Sequence, residues 1–248
     1  MVNIATVMIA RWISWAAARY AVIVALLIWG VAIMLYPGGT VLDESTHGYS
    51  FTHNFLSDLG STVAFNYTRN LPGAVLFAAG ILIGVSVLAG TFVGTIRLLS
   101  TEPRARLFAR LAAAGGAFVC LGYLGAALAP LDRAFRLHIV STIVASRSFP
   151  IAALLLAIAT ARDRRFRARA TIGWITLTLV LVGFIVVAHL GPRPSTERGL
   201  MTQVINQKIM VLTVLVVLWL ETLEAEVANG KTRPVAELPP ASPTTTPE

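Results

Sequence analysis

Cysteine is almost absent from this chain: Cys120 is the one thiol in 248 residues. A lone thiol closes no internal disulfide and builds no Cys-rich metal site. Inside an apolar run it reads as a small packed side chain. Charge is scarce too, at 13% of residues, about half the share found in soluble domains. With 56% hydrophobic residues and a mean hydropathy of +0.74, the chain cannot solvate itself as a globule in water; its solvent is lipid. Acidic residues are the rarer sign, 12 against 20 basic. The net charge of +8 does not point to nucleic acid, because the basic residues fall in short loops between apolar runs, where they fix orientation. Also missing are an H-E-x-x-H pair, an internal repeat and a small-x-small cleavage pattern. Pro37-Gly38-Gly39 follows the first apolar run instead, so that run reads as an uncleaved membrane helix.

What is present is a set of long apolar runs. Six are expected to span: Ala16–Tyr36, Pro72–Ile96, Leu107–Ala129, His138–Ala161, Ala170–Leu190 and Val204–Leu223. Each has about 20 residues or more, enough at about 1.5 Å per residue to cross the hydrocarbon core. They must be helices, since backbone groups in lipid have to pair within their own segment. The expected fold is an all-α polytopic membrane bundle of six transmembrane helices. Residues 1–228 form its transmembrane domain, and 229–248, rich in Pro and Thr, form a disordered cytoplasmic tail. Trp12 and Trp15 read as interfacial residues ahead of the first span. Gly80/Gly84, Gly90/Gly94, Ala112/Gly116 and Gly122/Ala126 are small pairs of the kind that lets helices approach.

The basic residues sort by side. One side holds Arg11 and Arg19, then Arg97, Arg104, Arg106 and Arg110, then Arg162, Arg164, Arg165, Arg167 and Arg169, then Lys231 and Arg233. The other holds Arg69, Arg133, Arg136, Arg193 and Arg198. The positive-inside rule places the richer side, and both termini, in the cytoplasm of the cell membrane. The opposite face carries one long loop, about Pro37–Leu71. Within its Ser50–Gly60 stretch, Phe51, Phe55 and Leu59 recur at helical spacing and predict a short amphipathic helix.

All four histidines, His47, His53, His138 and His189, fall at or beyond that same face. With Asp58 and Asp132 they supply the donor types of zinc and non-haem iron. His53, His138 and His189, with Asp58 or Asp132, would supply the set from which a site of three ligands and an open position is drawn. A metal-free arrangement would use Ser57 as nucleophile, His138 as base and Asp58 beside them. Equally, the imidazoles can simply anchor helix ends at the headgroup level. Arg147 lies nine positions beyond His138, so on a straight helix the two point opposite ways. A charge so placed costs about 2.5–3.5 kcal/mol on the lenient insertion scale and needs a partner.

The run Asn54-Phe55-Leu56-Ser57-Asp58-Leu59-Gly60, with Phe65-Asn66 ahead of the second span, resembles the membrane family catalogued as domain of unknown function 998. Ala129-Pro130-Leu131-Asp132 and His138 continue the likeness, and Gly199-Leu200 with Gln207-Lys208 extend it, Lys208 standing where the family pattern has Arg. The resemblance implies a six-span fold, distantly similar to DRAM-like proteins, and a polar cluster at Asn54, Ser57, Asp58, Asp132 and His138. It implies no activity.

Three functions fit these residues. One is binding of a membrane lipid or small anionic ligand in an outer-leaflet cavity lined by Asn54, Asp58, Asp132, His138 and Arg147. Another is a membrane-embedded hydrolase, zinc-dependent or built on Ser57 and His138. The last is a structural or regulatory partner of another membrane protein. No pair of broken helices suggests active transport. The charge asymmetry predicts that reporter fusions at Ser45 and Arg165 fall on opposite sides of the membrane; the same side for both contradicts the topology.

Overall fold

The computed structural model describes residues 15–99 and 102–230. Six long helices follow one another: α1 (Trp15–Leu35), α2 (Leu71–Leu98), α3 (Pro103–Leu128), α4 (Phe135–Ala161), α5 (Ala168–Leu190) and α6 (Glu197–Gly230). Five of them, α1 to α5, are long and apolar enough to cross a membrane. The sixth expected span falls within α6, which continues past it at both ends. A 3-10 helix, Leu56–Gly60, interrupts the long connection between α1 and α2. No strand forms among the described residues; two isolated bridges, Gly38 with His47 and Val63 with Arg69, tie the connection to itself. Trp12 and the tail beyond Gly230 lie outside the described residues.

Helix starts follow local chemistry. Pro72 and Pro103 occupy first turns, where a missing N–H costs nothing. The Glu102 carboxylate accepts from the Ala105 amide and caps α3. In α4 the helix runs unbroken through Pro150. That proline removes the N–H that would otherwise reach the Ser146 carbonyl.

Each helix packs against the next in chain order, and α1 meets α6, so the bundle closes into a ring with α2 also touching α6. The lateral surface is apolar: Leu27, Met34, Val75, Leu121, Leu179, Leu190 and Leu212 are all exposed. A water-facing protein does not display such a continuous belt; lipid is the medium that matches it. The tightest seam joins α3 and α4. A Cβ on Gly122 would lie 2.6 Å from the Ser141 carbonyl oxygen and 2.7 Å from the Ala145 amide, so only glycine permits this backbone approach. By contrast, Gly84 has nothing within 4 Å, so its pairing with Gly80 is not a contact inside the chain.

The two ends of the bundle differ. One, the basic end, carries the α2–α3 and α4–α5 turns. There Asp163 binds the Arg165 guanidinium at 2.6 Å, Arg165 also donates to the Leu98 carbonyl, and Arg19 pairs with Glu226 at 2.7 Å. The other, the cap end, carries the α1–α2 connection folded over the helix ends.

Candidate functional site

The cap is held by a few side chains that stand in for a missing sheet or helix. Asn54 is wholly buried. Its amide donates to the Gly39 carbonyl at 2.9 Å and to Asp58 Oδ2 at 3.2 Å. Its Oδ1 accepts from the Ser50 amide at 2.9 Å. Gly39 sits at φ +81°, and a Cβ there would come within 2.3 Å of the Asn66 amide. Glycine alone brings that carbonyl to Asn54. Asp58 Oδ2 also accepts from the Phe55 amide at 2.8 Å.

These bonds explain why the expected amphipathic helix is cut short. Asn54 and Asp58 take the Ser50 and Phe55 donors with side-chain oxygens, which compete with helical pairing. The segment turns through 51–54 and then tightens into the 3-10 helix. Phe51 consequently stays exposed while Leu59 is fully buried; the two do not share a face.

The cap is fastened to the bundle at three places. Gln207 of α6 accepts from the Leu56 amide at 2.7 Å, and the next residue, Lys208, donates to the Asn54 carbonyl at 2.6 Å. The Lys208 ammonium also lies 5.2 Å from the Tyr49 ring centre and 5.1 Å from that of Phe51. Asn70, one residue before α2, donates to the Leu59 and Ser61 carbonyls. Asp132, on the α3–α4 turn, accepts from the Thr62 amide at 2.8 Å, the Thr62 hydroxyl at 2.6 Å and the Val63 amide at 3.2 Å. Burial alone would raise the Asp132 pKa, but these bonds outweigh it and hold the carboxyl below the ordinary range.

Asp58 behaves in the opposite way. Burial pushes its pKa up to about 7, against the opposing pull of the Asn54 and Phe55 hydrogen bonds and the Lys208 charge. Its Oδ1 is buried with no hydrogen-bond partner. Tyr49, beside it, is raised first by burial and then by the Asp58 charge.

His138 is buried at the start of α4. Its Nδ1 lies 2.8 Å from the Ala129 carbonyl and 3.1 Å from that of Ala126. Carbonyls only accept, so Nδ1 carries hydrogen and Nε2 of the neutral ring is the acceptor. Below the 3-10 helix lies a cavity of about 110 Å³. Its polar lining is Ser57, His138, Thr142, Ser146 and Gln207, and its apolar lining includes Phe77, Ile81, Phe184 and Met210. A second cavity of about 80 Å³ shares Trp29, Ile81, Tyr123, Met210 and Val211 with it, and adds Leu88, Val214, Leu215 and Leu218. The two cavities adjoin across these shared walls and line up as a slot, polar under the cap and apolar beyond it.

The remaining expected residues go elsewhere. His53 Nδ1 lies 2.8 Å from the Thr52 hydroxyl, and its Nε2 lies 3.9 Å from Glu197. His189 Nδ1 donates to the Ile185 carbonyl at 2.9 Å, and its Nε2 accepts from Arg147 at 2.9 Å. His47 is exposed. The three imidazoles proposed as zinc ligands therefore sit with three separate sets of partners. Among the described residues no group of three His, Cys, Asp or Glu side chains is placed to hold a metal ion. Arg147 is exposed on α4, in a stripe with exposed Val140, Val144 and Ile151. It points away from buried His138, as nine residues at about 100° each require.

The family model described as Protein of unknown function (DUF998) matches residues 30–220. The chain belongs to that family. The DUF998 match contains the whole cap, His138, Gln207 and Lys208, and most of the slot. No curated protein and no solved structure matches the chain. Sequence reasoning missed Asn70, whose signal was a lone amide directly before Leu-Pro at a helix start. It also missed Glu221, although a carboxylate inside an expected span is itself a signal.

A carboxyl whose folded pKa is raised stabilises the fold fully below its unfolded value, about 4, and loses that contribution as pH climbs through the folded value. With Asp58 at about 7, the cap is expected to weaken as pH rises from about 4 to about 7 and to level off above that. Asp58→Asn should flatten that loss. Thermal unfolding of the detergent-purified protein against pH checks it; an unchanged slope in the variant contradicts the assignment.

Proposed function

We propose that this protein binds a membrane lipid at its cap end, with the polar part of the lipid under the 3-10 helix and an acyl segment in the slot below. The observation that supports this reading is the gradient across two adjoining cavities, from Ser57, His138, Thr142 and Gln207 under the cap to Leu215 and Leu218 in the second. Pockets for amphiphiles have that composition: mostly apolar walls and a few placed polar groups. Arg147 does not line the slot; from the exposed side of α4 it supplies an anionic preference for the part of a lipid that lies outside it. It stands on the α4–α5 side, next in sequence to Ser146 of the cavity, and its hydrogen-bond partner His189 is a neutral ring. A guanidinium in an apolar stripe favours an anion beside it. In this reading Asn54, Asp58 and Asp132 act through the cap, holding the roof rather than touching the ligand. The distribution of arginines supports placing the cap on the outer face of the cell membrane, with both termini in the cytoplasm.

The test is native mass spectrometry of the protein released from membranes. Wild type is expected to retain a phospholipid through detergent exchange. Met210→Trp, which fills the slot, should lower occupancy at least tenfold, about 1.4 kcal/mol. Arg147→Gln should reduce retention of anionic lipid more than zwitterionic lipid. Equal retention in all three proteins, or none in wild type, contradicts the reading.

A second reading, a serine hydrolase, is favoured by the fixed tautomer of His138. The Ala126 and Ala129 carbonyls hold hydrogen on Nδ1, which leaves Nε2 as a base in the cavity that Ser57 also lines. There His138 would take the Ser57 hydroxyl proton as its oxygen attacks an ester carbonyl. A fluorophosphonate adduct on Ser57 that disappears in His138→Gln is the expected result. No adduct in wild type contradicts the hydrolase and leaves the binding protein standing.

A further inference from the structure

The basic end of the bundle contains two buried carboxyls that the cap does not involve. Glu221 and Glu224 of α6 are each 1% exposed and lie three residues apart, on neighbouring positions of one helical face. Arg169 of α5 binds Oε1 of Glu224. Oε2 of Glu224 and Oε1 of Glu221 are buried without a hydrogen-bond partner. The indole N–H of Trp174, fully buried on α5, also lacks a partner by hydrogen-bond geometry and faces the Glu221 carboxyl.

The charges around the pair do not balance. From α5 comes one guanidinium, Arg169. From α1 comes Arg19, already bound to exposed Glu226. From α2 the buried polar groups are the Thr91 and Thr95 hydroxyls, and Arg97 is exposed. Among the described residues, two ionised carboxylates would thus face a single cation at a buried position. Ionised carboxylates only accept hydrogen bonds, so the two orphan oxygens cannot satisfy each other. One proton changes that: a hydroxyl on Glu221 would be a donor on the position next to Glu224 on one helical face, and it would bring the group to zero charge with Arg169. Adjacent carboxyls in proteins share a proton for this reason.

We propose that Glu221 and Glu224 form a proton-binding site at the α5–α6 seam, holding one shared proton at neutral pH. Release breaks the Glu221 O–H bond, leaves the electron pair on the carboxylate and passes the proton to water. It also leaves two like charges one turn apart, which loosens the seam. The site is independent of the lipid reading, since it uses none of the cap or slot residues.

The test is labelling of the full-length protein in detergent with a hydrophobic carbodiimide, which reacts with protonated buried carboxyls, and mapping of adducts by mass spectrometry. Glu221 or Glu224 should be labelled at neutral pH. Labelling should fall at least tenfold at alkaline pH and persist to higher pH in Arg169→Gln, where the balancing cation is gone. Labelling only in acid, or suppression by sodium ions at fixed ionic strength, overturns the proposal. Should the reagent fail to reach the seam at any pH, infrared spectroscopy decides it. In an Asp58→Asn background, a protonated-carboxyl band at neutral pH should vanish in both Glu221→Gln and Glu224→Gln; absence of that band overturns the proposal.

Discussion

The cap end depends on the amide of Asn54. A long connection folded over helix ends must pair its backbone groups wherever water is excluded. This one has neither a sheet nor an α-helix to do so. Asn54 resolves the difficulty from a fully buried position by binding a carbonyl on one side, an amide on another and a carboxylate on a third. It joins the start of the connection at Gly39, its middle at Ser50 and the 3-10 helix at Asp58. Removing it would strand the Gly39 carbonyl and the Ser50 amide at about 1–3 kcal/mol each, and would leave Asp58 Oδ2 with the Phe55 amide. The clamps at Gln207, Lys208, Asn70 and Asp132 then attach a connection that Asn54 has already shaped.

The slot is a consequence of that attachment. The 3-10 helix packs on α2 and α6, and Gly60 lets it settle against the Phe77 ring, where a Cβ would meet ring carbon at 2.6 Å. Ser57 and Gln207 thereby form a roof, and His138 a wall fixed in one tautomer. The Pro150 position withholds a donor from the Ser146 carbonyl on the same wall. Polar groups concentrate where the roof meets the bundle, and the walls below revert to the leucines, valines and methionine of an ordinary membrane core.

Much of this was legible in the sequence, and the reasons are physical. Lipid admits only self-paired apolar segments, so the expected spans match α1 to α5 closely at their ends. The half-turn offset between His138 and Arg147 likewise appears as one buried and one exposed side chain. The cap was less legible. Phe51, Phe55 and Leu59 have helical spacing, but Asn54 and Asp58 divert the backbone donors that a helix needs, and periodicity carries no information about such competition. Residue type placed Asn54, Asp58, Asp132 and His138 at one end, yet gave no sign that most of their polar atoms are used in holding the loop. The histidines were legible as neighbours in depth and not as neighbours in space, because depth is set by hydrophobic length whereas lateral position is set by packing. Gln207 and Lys208 were legible through the family likeness, with no role attached; their part as consecutive acceptor and donor follows from the cap they hold.

The most direct test of the account is amide hydrogen exchange in Asn54→Ala, read across residues 36–70 and compared with the α3–α4 seam. If Asn54 shapes the connection as a whole, protection should fall together from Gly39 to Ser61, including the Leu56 amide held by Gln207, while the seam around Gly122 stays as in wild type. Loss confined to the immediate neighbours of residue 54 would contradict it.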